Sequence, residues 1–138
     1  MRQEMVFAPV GVLAVWTMVV LFLTGLRRLG AVRARRIPPG AFRYGESPEV
    51  PDDVRVWNRH LMNLLEMPLL FYVASVSFYV TRQVTAGVVA LAWAYVALRL
   101  LHSFIHLTSN RVVARLLVFA AGNFVLLAQW IWFLARLL

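Results

Sequence analysis

Two sets of polar residues inside apolar stretches are the part of this sequence that could do chemistry. Arg59, Asn63 and Glu66 follow one another at spacings of four and three residues, which places them on one face of a helix. The next apolar stretch repeats this kind of spacing at Tyr95, Arg99, His102, His106 and Asn110. Ionisable groups inside apolar spans are costly and usually functional. We therefore expect the two faces to meet in a polar cavity, with Arg115 opening the last apolar stretch on the same side.

The charge balance of these stripes predicts what such a cavity would bind. Their arginines face a single acidic residue, Glu66, so a soluble ligand that carries several carboxylates would complement them. The alternative is that Glu66 pairs with Arg59 or Arg99 and only neutralises buried charge and fixes helix register. The chain contains no cysteine. Any thiol chemistry must therefore use a thiol that the ligand brings.

Metal and haem sites are the competing interpretations of the histidines. His102 and His106 are spaced as metal ligands on a helix, and Glu66 could join them. Only three ligands are visible, however, and the nearby arginines would repel a cation, so we expect no metal. A haem held by His60 and His102 is disfavoured as well, because we interpret His60 as a solvated residue at the mouth of its helix, at a different depth.

The composition defines the elements that must position these residues. Apolar residues make up 62% of the 138 residues and charged residues 14%, against about 45–50% and about 25% in soluble domains. Four apolar stretches are long enough to cross a bilayer. The sequence thus predicts an all-α fold, a single four-helix bundle integral to the membrane. The spans are expected at about 5–27, 58–81, 84–107 and 112–136, with a loop at about 28–57.

The distribution of arginine predicts the orientation of the bundle. Most of the 14 basic residues, all of them arginine, flank the long loop and the last turn, whereas Arg2, Arg82 and Arg136 lie at the other side. The positive-inside rule then places the loop in the cytoplasm and both termini on the non-cytoplasmic side. Because the arginines lie at the ends of apolar stretches, we do not expect nucleic acid as a partner. The Arg-only, Ala/Val/Leu-rich composition suggests a bacterial source and hence the bacterial inner membrane.

Two further patterns concern packing. The cluster of Trp130, Trp132 and Phe133 is typical of an aromatic belt at the membrane interface. Alanines recur at helical spacing along the third stretch, at Ala86, Ala90, Ala94 and Ala97. Such a ladder lets membrane helices approach closely, although alanine is also simply common in this chain.

The polar stripes resemble a known family. The segment from Arg59 to Phe71, with Asn63, Glu66 and Pro68 between them, is similar to the signature of the MAPEG family, the membrane-associated proteins in eicosanoid and glutathione metabolism. The second stripe resembles the matching segment of the prostaglandin E synthase branch, through Arg99, His102, His106, Asn110, Arg111 and Arg115. Arg27, at the end of the first span, also matches a family arginine.

The resemblance implies a homotrimer that binds glutathione between neighbouring subunits near the cytoplasmic side. Arg115 matches the arginine that stabilises the glutathione thiolate. Carried over by position, the residues that would hold glutathione are Arg27, Arg59, Asn63, Glu66, Arg99 and His102, with His106 as a further hydrogen-bond donor. We do not expect a metal cofactor.

Three positions depart from the family pattern and leave the reaction open. His106 and Phe119 stand where the family has tyrosines, and Leu116 replaces a hydroxyl residue found in some members. The expected function is a membrane-bound glutathione-dependent transferase or peroxidase, which acts on apolar electrophiles or hydroperoxides from the bilayer. Isomerisation stays open too, and the alternative is a non-catalytic lipid-binding or accessory membrane subunit of the same fold.

Overall fold

The computed structural model describes residues 2–43 and 47–138, and in these residues it contains helices and no strand. The long helices are α1 (Phe7–Arg33), α2 (Asp52–Val80), α3 (Ala86–Leu107) and α4 (Val112–Leu137), and short 3-10 turns lie at Gln3–Val6 and Pro39–Phe42. All four long helices are long and apolar enough to cross a membrane. The predicted all-α architecture with four such helices is confirmed.

The helix ends beside the long loop lie beyond the limits of the apolar stretches. Helix α1 continues to Arg33 and α2 begins at Asp52, because this end has a small apolar core of its own, formed by Ala31, Ile37, Val50 and Val54. Arg35 ends α1 in the left-handed conformation (φ 55°), and the Arg36 N–H donates to the Ala31 carbonyl at 3.0 Å. The Arg36 guanidinium also pairs with Asp53 at 2.8 and 3.0 Å, so the loop is fastened to the start of α2.

Short turns connect the remaining helices and make neighbours antiparallel. After α2 the chain reverses at Arg82 (φ 56°), where the Gln83 N–H donates to the Phe78 carbonyl at 2.9 Å. After α3 it reverses at Asn110 (φ 45°). The α1–α2 loop and the α3–α4 turn therefore share one end of the bundle, which we call the loop end. The α2–α3 turn and both ends of the chain share the other, the terminal end.

The terminal end is closed by apolar packing. Its buried residues are Val6, Phe78, Val84, Val88 and Phe133. Trp130 and Trp132 pack against this cluster, and Phe133 is only 8% exposed. The interpretation of these aromatic residues as an interfacial belt is wrong for Phe133, because its ring fills the space between α2 and α4 and meets Phe78 edge-on, with the centroids 5.3 Å apart.

Candidate functional site

A polar cavity of about 290 Å³ opens at the loop end between α2, α3 and α4. Its walls combine basic, amide, imidazole and apolar side chains, namely Arg59, Asn63, His102, His106, Val112, Arg115, Leu116 and Phe119. Five of the residues singled out from the sequence thus lie around one space: Arg59, Asn63, His102, His106 and Arg115.

Helical spacing explains how these side chains reach the same space. Arg59 and Asn63 lie one turn apart on α2, and His102 and His106 lie one turn apart on α3, so each pair projects from one face of its helix. The turn before α4 positions the fifth residue. Arg115 Nη1 donates to Asn110 Oδ1 at 2.7 Å, which directs its guanidinium toward the end of α3.

The charge around the cavity is positive. Arg59 and Arg115 both line it, and no acidic residue stands among the lining residues that the structure describes. Val112, Leu116 and Phe119 supply an apolar wall from α4. This combination suits an anion, since arginine binds carboxylates with paired, charge-assisted hydrogen bonds, and the apolar wall adds room for a second, nonpolar molecule.

Arg99 lies behind the cavity and does not line it. Its side chain is 1% exposed, Nε donates to the Tyr95 hydroxyl at 2.9 Å, and Nη2 donates to Asn123 Oδ1 at 2.8 Å. The guanidinium also lies 5.0 Å from the ring centroids of Tyr95 and Phe119. Neutral acceptors and aromatic faces therefore surround this buried charge, and they connect α3 to α4.

Glu66 and Arg27 also lie away from the cavity in the single chain. Glu66 is exposed on the outward face of α2, next to the exposed Leu65 and Leu69. Within residues 2–43 and 47–138 it forms no ion pair, so it does not neutralise Arg99. Arg27 is exposed too, and its guanidinium lies 5.2 Å from the ring centroid of Trp57.

His60 and Asn123 are the residues that sequence reasoning missed. The interpretation of His60 as a solvated residue is wrong: its side chain is fully buried, and its ring centroid lies 5.8 Å from that of His102 and 5.1 Å from that of His106. A signal was present, because His60 has the helical spacing of Leu64, Phe71 and Phe78, which are also buried. Asn123 had no such signal, since only the packing of α4 on α3 brings it to Arg99.

Together the fold and the cavity define a four-helix protein of membrane type with a basic, polar pocket at one end of the bundle. The model of the MAPEG family matches residues 6–135, so the chain belongs to the MAPEG family, which includes glutathione transferases and related membrane proteins. No curated protein and no solved structure matches the chain. The three positions at which we expect a departure from the family pattern, His106, Leu116 and Phe119, all line the cavity.

Proposed function

We propose that this protein is a membrane-bound, glutathione-dependent transferase or peroxidase that acts on apolar electrophiles or hydroperoxides dissolved in the bilayer. The observation that carries the proposal is the loop-end cavity, where Arg59 and Arg115 meet with no acidic lining residue among those described. Members of the MAPEG family use glutathione, and glutathione is an anion with carboxylates and a thiol.

The lining residues divide between the two ends of such a ligand. Arg59 and Asn63, on α2, suit a carboxylate and its neighbouring amide, because a guanidinium and a side-chain amide offer several donors. Arg115, held by Asn110 at 2.7 Å, presents a fixed positive charge on the α4 side. A thiol beside such a charge is favoured in its thiolate form, which is the nucleophile. His102 and His106 line the wall between them.

The second substrate would arrive from the lipid side of α4. Leu116 lines the cavity and is 62% exposed, and the neighbouring Val113 and Leu117 are exposed too. An apolar molecule can therefore approach the thiolate along a surface that is itself apolar. Because Leu116 and Phe119 offer no hydroxyl, the chain would rely on the charge of Arg115 to stabilise the attacking sulfur.

A homotrimer explains the residues that the single chain leaves outside. Glu66 lies on an outward apolar face of α2, and a carboxylate facing lipid is costly. The alanines of α3, at Ala86, Ala90, Ala94 and Ala97, are all exposed, and small residues permit close helix contacts in membranes. In this proposal a neighbouring subunit covers both surfaces, and Glu66 and Arg27 reach the glutathione held at the interface. Arg99, whose Nε and Nη2 donate within the chain, supports the wall of the site.

The proposed orientation places the loop end in the cytoplasm of a bacterial inner membrane and both termini on the opposite side. Arginines are concentrated at the loop end, as the positive-inside rule requires of a cytoplasmic face. The cavity opens at this same end, so a soluble anionic cosubstrate would enter from the cytoplasm.

The test compares two arginines at the start of α4. Arg115 lines the cavity, whereas Arg111 is exposed one turn earlier and does not. We expect Arg115→Leu to lower turnover of a general electrophile by roughly 10- to 1,000-fold, the range for losing one charge-stabilising donor. Its affinity for glutathione should change much less, since Arg59 remains, and Arg111→Leu should match the wild type in both measurements.

Equal turnover in the two variants would contradict the role of Arg115. Should the wild-type trimer bind glutathione and yet fail to react with any electrophile or hydroperoxide, the protein is a non-catalytic lipid-binding or accessory subunit instead. Mass measurement in detergent tests the assembly separately, and a monomer that binds glutathione would refute the trimeric site.

A further inference from the structure

Three histidines form a cluster at the wall of the cavity. His60 comes from α2, and His102 and His106 come from α3. One ring nitrogen of each lies within 4.8 Å of the others, and the three ring centroids are 5.1, 5.5 and 5.8 Å apart. The chain has only three histidines, so its whole complement of imidazole is gathered at this point.

The histidine cluster is buried and its hydrogen bonding is incomplete. His60 is 0% exposed and His106 is 3% exposed. Among the described residues, neither ring nitrogen of His60 has a hydrogen-bond partner, and Nδ1 of His106 has none either. Leaving buried polar groups unpaired is energetically unfavourable. A neutral imidazole has one nitrogen with a free lone pair, and an occupant that accepts this lone pair gives that nitrogen a partner.

We propose that His60, His102 and His106 bind a divalent transition-metal ion of the zinc type. Imidazole nitrogens suit zinc, copper, iron and nickel. A tetrahedral ion with metal–nitrogen bonds of about 2.1 Å holds its ligand nitrogens roughly 3.4 Å apart, with the ring centroids about 5 Å apart. The observed centroids already lie close to that spacing, and rotation of the rings brings the nitrogens onto the ion.

The surroundings determine what completes the coordination. His102 and His106 also line the cavity, so the ion has a route of entry and its fourth position faces the cavity. Arg59 and Arg115 line the same space and repel a bare cation. They attract an anion equally well, so hydroxide or chloride on the fourth position offsets the repulsion. The ion and its anion therefore bind together. The expectation of no metal rested on a count of ligands and arginines in the sequence, and it did not include such an anion.

Cobalt provides the test, because four-coordinate Co²⁺ absorbs in the visible region and occupies zinc sites. The full-length protein is purified with an affinity tag that contains no histidine, and it is titrated in chloride buffer without glutathione. We expect one Co²⁺ per chain, with the absorption of a four-coordinate ion that Zn²⁺ abolishes. Since the chain has no cysteine, thiolate ligands cannot produce such a signal, and its loss in His60→Phe assigns it to the histidines. No saturable Co²⁺ binding by the folded wild type would overturn the proposal.

The variant His60→Phe keeps the buried ring volume and removes one ligand. We expect Co²⁺ binding at least about 100-fold weaker, since even partners beyond the metal ligands account for 10- to 100-fold in affinity. The matched control is Gln129→Leu, which alters another buried polar side chain, one whose Oε1 has no hydrogen-bond partner among the described residues. It should bind Co²⁺ as the wild type does. Unchanged binding by His60→Phe would refute the site.

If His60→Phe does not fold, nuclear magnetic resonance of the wild type with isotope-labelled histidine provides the test. All three imidazole resonances should shift as one equivalent of Zn²⁺ is added, whereas a shift in fewer than three would contradict a three-histidine site. None of these readouts needs glutathione or turnover. The tests of the metal site are therefore independent of the proposed activity.

Discussion

The two ends of the bundle are built from the same four helices and differ in almost every other respect. At the terminal end, apolar side chains from α2, α3 and α4 pack closely, and a Cβ on Gly87 would lie only 2.5 Å from the Trp132 ring. Gln3 fastens the chain start there by exchanging two hydrogen bonds with the Val84 backbone, at 3.0 and 3.3 Å. At the loop end the same helices separate around arginines, histidines and an open space.

We infer from this difference that the two ends have separate tasks. Close packing at the terminal end holds the helices in fixed positions there, while the loop end keeps a polar cavity. Substitutions at the terminal end should therefore change stability and leave ligand binding intact. Substitutions of the cavity residues should lower glutathione binding or turnover and leave stability intact, and Arg115→Leu against Arg111→Leu tests the effect on turnover.

The largest stability effect is expected from Phe78→Ala at the terminal end. Phe78 is fully buried, and truncating such a ring in a packed core costs about 3–5 kcal/mol. Unfolding in mixed detergent measures the loss of unfolding free energy. Under conditions in which the variant is still folded, its glutathione affinity should be unchanged. Phe124→Ala is the control, because Phe124 is 70% exposed and should unfold like the wild type. A large loss of affinity in Phe78→Ala would show that the two ends are not separate.

An intermediate effect is expected from Asn123→Leu, between the two ends. This change removes the acceptor for Arg99 Nη2, and a hydrogen bond to a charged group contributes about 1.5–3 kcal/mol. The free energy of unfolding should fall by that amount. Asn123→Asp keeps an acceptor and adds a countercharge, so it should retain stability. If Asn123→Leu unfolds like the wild type, the contact between Arg99 and Asn123 does not hold α3 to α4.

The smallest effect is expected from Arg82→Gly in the turn between α2 and α3. Arg82 has a φ of 56°, a conformation that costs non-glycine residues about 1 kcal/mol. Glycine should therefore raise the free energy of unfolding by up to about 1 kcal/mol. Arg82→Ala removes the same charge and keeps the strained conformation, so it should not be stabilised. Equal stability of the two variants would show that the strain is absent.

The helices and much of the cavity could be predicted from the sequence because both depend on spacing within one helix. Apolar stretches give four helices, and residues one turn apart, such as His102 and His106, must share a face. Contacts between helices depend on how each helix is rotated against its neighbour. The spacing of residues along one helix does not determine that rotation. For that reason the pairing of Arg99 with Asn123 was not foreseen, and neither was the outward position of Glu66.

His60 and the end of α1 show a second limit of sequence reasoning. Both lie near the expected edges of spans, where hydropathy alone assigns residues to water. The structure extends the helices beyond that edge, because the loop packs its own apolar residues around Ala31 and covers what a bare helix end would expose. His60 lies deeper in α2 and is buried against His102 and His106 of α3.

The proposed function depends most directly on whether the loop-end cavity binds glutathione as a thiolate. The measurement is the ultraviolet difference spectrum of the detergent-solubilised wild type on addition of glutathione, where the thiolate absorbs and the thiol does not. We predict a saturable thiolate signal in the wild type and in Arg111→Leu, and its loss in Arg115→Leu although glutathione still binds. Saturable binding of glutathione to the wild type with no thiolate signal would contradict the proposed catalytic function.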